Sequence, residues 1–442
     1  MMKNKNTKVA VISLGCDKNR VDSENLLYIL NEYDYEITNG EDEFDIVIVN
    51  TCGFIDSAKA EAIDNILDMA EIKKTRPVKI IVSGCMGIRY AEQLLEDIPE
   101  IDAVIGFKDY QAIDVVIHRV QKGERFIYKQ GNDKPFVNRI ITTPYHYAYL
   151  KIAEGCDNKC TYCAIPSIRG GYISREIPSL IEESKKLVEG GVKELILVAQ
   201  DVSRYGIDIY NEYSLLKLIE ELSKTDVEWI RLLYLYPETV SEELIKELVD
   251  NPKLTRYMDI PLQHINDGIL KKMNRRVNGS KIRRLIETIR KYDEDIAVRS
   301  TFITGFPTEK PEEHIELLKF LEEYKLDYAG FFAYSQEEGT PAGRMGGQID
   351  EEIKQARLLE LESTQQAVME KKARQKVGKT LRVLYDGADY DRQEFVSRSE
   401  FNAPDIDANV LLRSDKLLEI GEFYNAKIIG TDGIDLIGEL YD

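Results

Sequence analysis

Short, uninterrupted runs of aliphatic and β-branched residues recur through the first third of the chain. A run without polar alternation is typical of a parallel strand that is buried on both faces. Helix-like segments separate the runs, so the pattern predicts an α/β domain with a mostly parallel sheet over residues 1–140. The predicted strands are 9–15, 46–51, 80–84, 102–106 and 125–128. Glycine and proline at 131–135 and 142–144 predict a linker after this domain.

The next two hundred residues alternate strand and helix signals at a longer interval. Six strand candidates are spaced as successive βα units would be. They begin near Tyr147, Lys193, Trp229, Tyr257, Ala297 and Asp327. Six units are fewer than the eight that close a full barrel. We therefore predict a partial (β/α)6 barrel over residues 145–375, which ends in a long polar helix at about 350–375.

From residue 376 the pattern changes again, to short strands separated by turns. The strands are predicted at 381–385, 395–398, 410–413, 423–430 and 434–440. Asp386-Gly387 and Asp432-Gly433 are hairpin signals. Five strands in so short a segment predict a small β-barrel of OB-like size over residues 376–442.

The composition indicates the cellular compartment in which the protein is expected. No apolar stretch approaches the roughly 18 residues that a membrane span needs. The N-terminus lacks the layout of a signal peptide. Six cysteines in 442 residues do not resemble a disulfide framework. We predict a cytoplasmic protein whose thiols stay reduced. Its net charge of −19 makes nucleic acid a poor default partner, although acidity alone also describes an ordinary solvated surface.

Three cysteines stand within eight residues, Cys156-Asp157-Asn158-Lys159-Cys160-Thr161-Tyr162-Cys163. Three thiolates leave one iron of a [4Fe–4S] cluster without a protein ligand, and that iron can hold a substrate or cofactor. Structural zinc is the alternative, but it wants four ligands, and no fourth Cys or His lies nearby in the sequence. Buried structural cysteines are the other alternative. The spacing favours an iron–sulfur cluster.

The other three cysteines each follow one of the apolar runs. Cys16, Cys52 and Cys85 stand at these positions, and each has a neighbouring glycine. The carboxyl ends of parallel strands open onto one crevice, so the three cysteines are expected to converge. One cysteine of this kind is usually a small core residue. Three at equivalent strand ends favour a second three-cysteine cluster.

Together these motifs resemble the radical S-adenosylmethionine (SAM) methylthiotransferases over essentially the whole chain. Residues 13–24, Ser-Leu-Gly-Cys-Asp-Lys-Asn-Arg-Val-Asp-Ser-Glu, look like the branch that modifies a ribosomal protein, the RimO-type branch. Residues 50–55, Asn-Thr-Cys-Gly-Phe-Ile, match it too. The tRNA-modifying branch typically has Gly-Cys-Gln-x-Asn at the first site, whereas this chain has Asp17-Lys18-Asn19.

The resemblance implies two [4Fe–4S] clusters, S-adenosylmethionine, and an external electron donor and sulfur source. Cys156, Cys160 and Cys163 would ligate the catalytic cluster, and Cys16, Cys52 and Cys85 the auxiliary one. The implied reaction adds a methylthio group to the β-carbon of an aspartate in the twelfth small-subunit ribosomal protein. The C-terminal barrel would be a TRAM domain. Tyr162 matches a position that flanks the adenine, although it can equally be a packing residue.

Polar residues at strand ends of a barrel are placed for ligands. This argument gives five further cofactor-binding candidates, which are Gln200, Asp201, Arg231, Gln263 and Arg299. His264 also ends a strand, but a satisfied structural histidine is the favoured interpretation.

The charge of the last segment favours a protein substrate. Residues 380–442 contain 14 acidic and 6 basic side chains. An RNA-binding barrel should present a basic groove with exposed aromatic residues, whereas an acidic one suits a basic ribosomal protein. A basic cluster before it, Lys371, Lys372, Arg374, Lys376 and Lys379, argues weakly for RNA. A tRNA adenosine methylthiotransferase and a non-enzymatic iron–sulfur carrier remain the alternatives.

Overall fold

The computed structural model describes residues 7–39, 43–131, 138–389 and 394–441. Part of the predicted linker, residues 132–135, lies outside them. The chain folds as two compact units. The first consists of Met1–Thr142, Glu154–Asn158 and Cys163–Arg175, and the second of Thr143–Ala153, Lys159–Tyr162 and Glu176–Asp442.

The first unit is built on a six-stranded sheet in which every pair of neighbours is parallel. Its strands are β1 Lys8–Ser13, β2 Glu36–Thr38, β3 Ile46–Thr51, β4 Lys79–Ser83, β5 Ala103–Ile105 and β6 Phe126–Tyr128. Its helices are α1 Asp17–Glu32, α2 Asp56–Thr75, α3 Gly84–Arg89, α4 Ala91–Asp97 and α5 Ile113–Gln121, with a 3-10 turn at Phe107–Ala112. The strand order is β2-β1-β3-β4-β5-β6.

Helices cover both faces of this sheet. Leu26 and Leu30 of α1 pack with Val116 of α5 in one apolar cluster, and Ile66 of α2 packs with Leu94 of α4 in another. The two-sided burial explains the uninterrupted apolar runs of the sequence. The sequence did not predict β2, because this edge strand has only three residues and none of them is fully buried.

The second unit contains the six predicted strands of the partial barrel, all parallel to their neighbours. They form two sheets, β11-β10-β7 and β12-β13-β14. A bridge between Ile230 and Leu254 and a hydrogen bond from the Leu235 N–H to the Asp259 carbonyl link the two sheets. The strands of this part of the chain are β7 Tyr147–Lys151, β8 Ala153–Glu154, β9 Ile173–Ser174, β10 Glu194–Val198, β11 Trp229–Leu232, β12 Tyr257–Asp259, β13 Ala297–Thr304 and β14 Tyr328–Ala333.

Helices follow the strands of the partial barrel, and the last of them is the long polar helix that the sequence predicts. They are α6 Ile165–Arg169, α7 Ile177–Glu189, α8 Leu215–Ser223, α9 Glu242–Asp250, α10 Asp267–Lys272, α11 Gly279–Tyr292, α12 Pro311–Tyr324 and α13 Glu351–Gln375, with 3-10 turns at Val202–Arg204 and Ala342–Arg344. Of these, α6 belongs to the first unit. No helix in the described ranges has the length and the apolar character that crossing a membrane requires.

The C-terminal segment forms a closed five-stranded barrel in the order β15-β16-β17-β19-β18. Its strands are β15 Thr380–Asp389, β16 Glu394–Ser399, β17 Val410–Arg413, β18 Phe423–Asp432 and β19 Asp435–Leu440. The predicted α/β fold class, with a parallel-sheet N-terminal domain, a partial (β/α)6 barrel and a small C-terminal β-barrel, is thus confirmed. The division at 1–140, 145–375 and 376–442 stays a prediction, since both barrels share the second unit.

One of the two predicted hairpin turns is misplaced, although its hairpin forms, since β15 and β16 pair antiparallel. Asp432-Gly433 does end β18 before β19, and Gly433 has a φ of +59°. Asp386-Gly387 instead lies inside β15, where the pairing with β16 slips by one residue. Gly387 has a φ of +150° at this β-bulge, and the bulge places the Asp386 side chain 2.7 Å from His146 Nε2. The same dipeptide therefore bends a strand here.

Buried ion pairs fix the small barrel to the amino ends of the partial-barrel strands. Glu194, the first residue of β10, accepts hydrogen bonds of 2.6 Å from Arg231 and from Arg398. Arg398 also donates to both oxygens of Asp386. The Trp229 ring meets the Phe423 ring edge-on, with centroids 4.7 Å apart.

Two predicted cofactor-binding residues belong to this interface. Arg231 is fully buried, and in addition to Glu194 it donates to the carbonyl oxygens of Ser399 and Glu400. Arg299 donates to Asp259 at 3.0 Å and lies 3.4 Å from Asp407 of the small barrel. Both guanidiniums contact the C-terminal barrel, and the role of Arg231 and Arg299 as cofactor ligands stays a prediction.

Candidate active site

Three cysteines follow neighbouring strands of the first sheet. Cys16 immediately precedes α1, Cys52 follows β3, and Cys85 is the second residue of α3. Their strands are adjacent in the sheet, so the three loops meet at its carboxyl edge. The strand order changes direction between β1 and β3, and open α/β sheets place their ligands at such a switch point. Cys16 and Cys52 flank it.

Glycines allow the three cysteine loops to approach one another. Gly15 has a φ of +90°, and a Cβ placed on it would lie 2.7 Å from the Cβ of Cys52. A Cβ on Gly53 would lie 2.8 Å from the backbone nitrogen of Met86, the neighbour of Cys85. Real Cβ atoms do not come so close to other atoms, so both positions require glycine. This is the physical reason for the Gly–Cys and Cys–Gly pairs of the sequence.

Asn19 joins the same three loops by hydrogen bonds. Its Nδ2 donates to the carbonyl oxygens of Leu14 and Thr51, each at 3.0 Å. The Asn50 side chain donates to the Asn19 carbonyl oxygen at 2.9 Å. Asn19 Oδ1 lies 3.7 Å from Cys85 Sγ. One buried side chain on the first turn of α1 therefore contacts all three strand ends.

The electrostatics keep two of these cysteines protonated when no metal is bound. Burial raises the pKa of Cys85 to about 11, and the neighbouring cysteines add to this effect while Arg169 opposes it. Burial also raises the pKa of Cys52, and Cys16 adds to that shift. A metal centre must displace these protons in order to bind. The three sulfur atoms offer the soft ligand set that iron–sulfur clusters use.

Within the described ranges, no three Cys, His, Asp or Glu side chains are placed to hold a single metal ion. In a [4Fe–4S] cluster each thiolate binds a different iron, so its sulfur ligands stand farther apart than the ligands of one ion. The three converging cysteines fit a ligand set of this kind.

The second cysteine motif follows β8 in one loop. A Cβ on Gly155 (φ +73°) would overlap the Gly171 carbonyl oxygen, and the Cys156 N–H donates to the Gly170 carbonyl oxygen at 3.1 Å. The Ile165 N–H donates to Cys163 Sγ at 3.4 Å. Hydrogen bonds to the sulfurs are one way in which proteins tune iron–sulfur clusters. The start of α6 thus orients the last cysteine of the motif.

The first unit brings the two motifs together. Cys85 packs with Ala164 and Ile168 in one buried apolar group. Ala164 directly follows Cys163, so helix α3, which carries Cys85, lies against helix α6, which follows the CxxxCxxC run. This contact could not be predicted from local sequence patterns, because it joins residues about eighty positions apart.

Cys160 belongs to the second unit, where it faces the partial barrel. Its Sγ lies 3.6 Å from the hydroxyl of Tyr236. The next residue, Thr161, donates from its N–H to the Met273 carbonyl oxygen and accepts from the Ala342 N–H. These backbone bonds fix the middle of the cysteine loop at the end of α10.

Arg275 is a functional candidate that sequence reasoning missed. Its guanidinium lies 4.2 Å above the Tyr236 ring, and the side chain is 1% exposed. Nη2 donates to the Pro261 carbonyl oxygen at 3.1 Å, while Nε and Nη1 are buried without a hydrogen-bond partner. Burial lowers its pKa, but Tyr162, Tyr236, Glu238 and Cys160 together raise it above the usual value. Arg275 is therefore a buried cation whose Nε and Nη1 can donate to an anion.

The remaining predicted cofactor residues lie at carboxyl ends of strands. Asp201 accepts from Ser203 Oγ at 2.8 Å, and that hydroxyl accepts from the Tyr236 N–H. Gln200 precedes Asp201 after β10. Gln263 has a φ of +70° and is joined to β13 through its N–H and its carbonyl. Their roles as cofactor ligands stay predictions.

Tyr162 contacts the apolar side of the same region. It packs against a buried group at the carboxyl ends of the last strands, which consists of Ile269, Met273, Phe306, Tyr334 and Ala342. A ring held in this way can flank an adenine, and its role stays a prediction.

The structure gives His264 the properties of a structural residue. It is fully buried, and its Nδ1 accepts from the Asn266 N–H at 3.0 Å. Burial lowers its pKa to about 3, and the charges of His314 and Arg357 add to this shift. The ring is therefore neutral at physiological pH and has little capacity to act as a base.

Comparison with known proteins agrees with this arrangement. Residues 8–106 match Uncharacterized protein family UPF0004, residues 150–321 the Radical SAM superfamily, and residues 377–440 the TRAM domain. A solved radical S-adenosylmethionine methyltransferase, TsrM from Kitasatospora setae, shares the fold with a TM-score of 0.56 at 15% identity, over 76% of this chain and 74% of that one.

Full-length relatives are closer in sequence. The ribosomal protein uS12 methylthiotransferases RimO of Clostridium tetani and of Clostridium botulinum strain Eklund 17B are 45% and 48% identical, each over 98% of both chains. That of a Thermoanaerobacter species is 45% identical over 98% of this chain and 99% of its own. The predicted membership of the radical SAM methylthiotransferases and of their RimO-type branch is confirmed. The chain belongs to the RimO family of ribosomal protein uS12 methylthiotransferases, within the radical SAM superfamily.

Proposed function

We propose that this chain adds a methylthio group to the β-carbon of an aspartate in ribosomal protein uS12, with two [4Fe–4S] clusters and S-adenosylmethionine. The observation that carries the proposal is the meeting of Cys16, Cys52 and Cys85 at one sheet edge, with Cys85 packed against the residue that follows Cys163. Two cysteine triads in this relation suit an enzyme that must generate a radical and deliver sulfur to the same carbon. An electron carrier needs only one cluster.

Cys156, Cys160 and Cys163 are the proposed ligands of the catalytic cluster. Bound there, a reduced cluster and S-adenosylmethionine supply a carbon radical that abstracts hydrogen from an unactivated carbon. The Ile165 N–H and the Tyr236 hydroxyl lie next to two of the three sulfurs and help to set their charge.

Arg275, Tyr162 and the strand-end residues would bind S-adenosylmethionine. The Nε and Nη1 of Arg275, which have no hydrogen-bond partner, can each donate to an anionic group such as a carboxylate. Tyr162 offers a ring face for the adenine. Gln200, Asp201 and Gln263 offer polar groups at the carboxyl face of the barrel, where barrel chemistry takes place.

Cys16, Cys52 and Cys85 are the proposed ligands of the auxiliary cluster, which supplies or carries the sulfur. Asn19 and the glycines hold the three loops in register for this purpose. The sulfur source and the electron donor are external to the chain.

The charge distribution supports a basic protein as the substrate. Exposed acidic residues of the small barrel include Asp415, Glu419, Asp432 and Glu439. Part of the basic cluster that argued for RNA is engaged within the protein. Lys372 pairs with Asp327, and Lys376 is placed over the Phe401 ring. Lys379 pairs with Asp295 on the surface, and Lys371 and Arg374 are exposed.

The test uses anaerobically purified protein with both clusters reconstituted. It is incubated with S-adenosylmethionine, sulfide, a reductant, small ribosomal subunits and bulk tRNA, and both substrates are analysed by mass spectrometry. We expect a methylthio mass gain on one aspartyl peptide of uS12 and unchanged tRNA nucleosides. A methylthioadenosine product with unmodified uS12 would overturn the substrate and leave the cluster assignment in place.

A further inference from the structure

Arg169, the last residue of α6, carries a charge that is buried among residues flanking both cysteine motifs. Its side chain is 1% exposed. Nη1 donates to both oxygens of Glu154, at 2.9 and 3.0 Å. Nη2 donates to Asn19 Oδ1 at 2.5 Å and to Asp22 Oδ2 at 3.0 Å. The guanidinium carbon lies 4.4 Å above the Phe107 ring.

The partners of Arg169 divide into two sets. Glu154 stands two residues before Cys156, and α6 itself begins two residues after Cys163. Asn19 and Asp22 lie on α1, which begins directly after Cys16. The Nη1 atom of Arg169 thus binds Glu154, which precedes the CxxxCxxC loop, and the Nη2 atom binds the helix that follows Cys16.

Asn19 extends the second set to the remaining auxiliary cysteines. The oxygen that accepts from Arg169 is the one that lies 3.7 Å from Cys85 Sγ, and the amide nitrogen binds the loops of Cys16 and Cys52. Arg169 and the carbonyl oxygens of Leu14 and Thr51 together hold Asn19 in the orientation that presents this oxygen to Cys85. The arginine therefore acts on the auxiliary cysteines through Asn19.

A buried ionic group of this kind is costly and is not needed for stability alone, since apolar residues often fill such sites with equal or greater stability. Lysine cannot replace it, because one ammonium nitrogen cannot stand in for the two separate nitrogens that bind Glu154 on the one hand and Asn19 and Asp22 on the other. The arrangement favours a function that depends on a fixed separation between the two motifs.

We infer that Arg169 is a positioning residue which sets the auxiliary cysteines at a fixed distance from the CxxxCxxC loop, so that sulfur transfer depends on it more strongly than the cleavage of S-adenosylmethionine does. The inference rests on the proposed function. Each half-reaction needs one motif, whereas transfer needs both in register.

The variant that tests this inference is Arg169→Lys, in the full-length protein with both clusters reconstituted. We expect the iron content and the rate of S-adenosylmethionine cleavage to stay within about twofold of wild type, and the ratio of uS12 methylthiolation to cleavage to fall at least tenfold. The magnetic interaction between the two reduced clusters, measured by electron paramagnetic resonance, should change as well. A purely structural role would not alter that interaction while both clusters are retained.

Asp22→Asn is a milder second variant, because it keeps the side chain's shape and leaves Arg169 paired with Glu154. We expect the ratio of uS12 methylthiolation to S-adenosylmethionine cleavage to fall at least threefold. Arg139→Lys is the matched control, since Arg139 is a buried arginine of the same unit that pairs with Glu24 of α1. It should leave the ratio unchanged.

An unchanged ratio and an unchanged magnetic interaction in both test variants would overturn the role of Arg169. If Arg169→Lys loses both clusters, the ratio and the magnetic interaction measured in Asp22→Asn decide whether Arg169 has the positioning role. Wild-type protein that cleaves S-adenosylmethionine without modifying uS12 would overturn the proposed function together with this inference, which distinguishes that failure from the first.

Discussion

The guanidinium of Arg398, on β16 of the small barrel, donates a 2.6 Å hydrogen bond to Glu194, the first residue of β10. Both side chains are buried, and Arg231 binds the other oxygen of the same carboxylate. One carboxylate is thus shared by two arginines from the two barrels of the second unit. The sequence predicts a separate C-terminal barrel, and this pairing joins that barrel to the rest of the second unit.

Replacing Glu194 with glutamine should destabilise this unit by about 3–5 kcal/mol, since it leaves two buried arginines without their carboxylate. Thermal unfolding followed by circular dichroism measures the effect. Glu182→Gln is the control, because Glu182 pairs with Lys186 on an exposed helix surface, where an ion pair contributes little. Equal unfolding temperatures for wild type and Glu194→Gln would contradict the interface role.

The same substitution should flatten the pH dependence of stability. Burial raises the pKa of Glu194, but Arg231 and Arg398 outweigh it and hold the pKa below its usual range. The unfolded chain therefore binds the proton more readily than the folded one, so the stabilisation is present above the ordinary glutamate pKa and is lost as the pH falls through the lowered value. Wild type should lose more stability than Glu194→Gln as the pH falls below about 4.5, the ordinary glutamate pKa. Parallel curves would refute this account.

Local sequence patterns predicted the sheet and the cysteine convergence because those features depend on short-range rules. A run of β-branched residues specifies a buried parallel strand, and the end of such a strand specifies where Cys16, Cys52 and Cys85 must lie. The closed C-terminal barrel was predictable for the same reason, since its strands are short and regularly spaced.

Long-range pairing was not predictable. Arg231 and Arg299 stand on barrel strands like cofactor ligands, but each also contacts a residue of the C-terminal barrel more than a hundred positions away. Asp386-Gly387 reads as a turn because its neighbours in space, His146 and Arg398, are invisible in the local sequence. A functional role for Arg275 could not be predicted, because its own segment of the sequence carries no motif.

The cysteines should separate the two half-reactions. Cys160→Ala should abolish cleavage of S-adenosylmethionine, because it removes a proposed ligand of the catalytic cluster. Cys52→Ala should retain cleavage and lose methylthiolation of uS12. Chromatography of 5′-deoxyadenosine and mass spectrometry of uS12 measure the two steps in one reaction. Methylthiolated uS12 from Cys52→Ala would show that the auxiliary triad is assigned wrongly.

Gly15→Ala should remove the auxiliary cluster selectively. The added Cβ would lie 2.7 Å from the Cβ of Cys52, at a backbone φ of +90°. We expect iron binding to fall by at least half in a Cys156→Ala, Cys160→Ala, Cys163→Ala background, where bound iron reports on the auxiliary triad alone. Gly123→Ala is the matched control, because its φ is +85° and nothing lies within 4 Å of the added atom.

Both glycine variants carry the strain of a left-handed residue, about 1–2 kcal/mol, and Gly15→Ala adds the overlap with Cys52, so its unfolding temperature should fall further. Only Gly15→Ala should lose iron. Equal iron contents in the two variants would mean that the approach of the Cys16 and Cys52 loops does not matter for the cluster.

Arg275→Lys should weaken the binding of S-adenosylmethionine at least tenfold. It removes the Nε and Nη1 donors that we propose for the carboxylate, and each hydrogen bond to a charged group contributes about 1.5–3 kcal/mol. Anaerobic equilibrium dialysis of the reconstituted protein measures the dissociation constant. The neighbouring Arg276 is exposed, so Arg276→Lys should leave it unchanged. An unaltered constant in Arg275→Lys would assign this buried cation a structural role only.

Charge reversal on the small barrel should weaken recognition of uS12 without affecting radical chemistry. Asp415 and Glu419 are exposed in the segment between β17 and β18, and complementary charge chiefly raises the rate of encounter with a basic partner. The double variant Asp415→Lys, Glu419→Lys should raise the KM for uS12 several-fold and keep the uncoupled cleavage of S-adenosylmethionine constant. The wild-type KM should rise with ionic strength, since salt screens exposed charges, and the variant should respond less. The control Glu61→Lys, Asp64→Lys makes the same change of net charge on exposed residues of α2; an equal rise in KM there would trace the effect to overall charge and exclude a specific role for the C-terminal barrel.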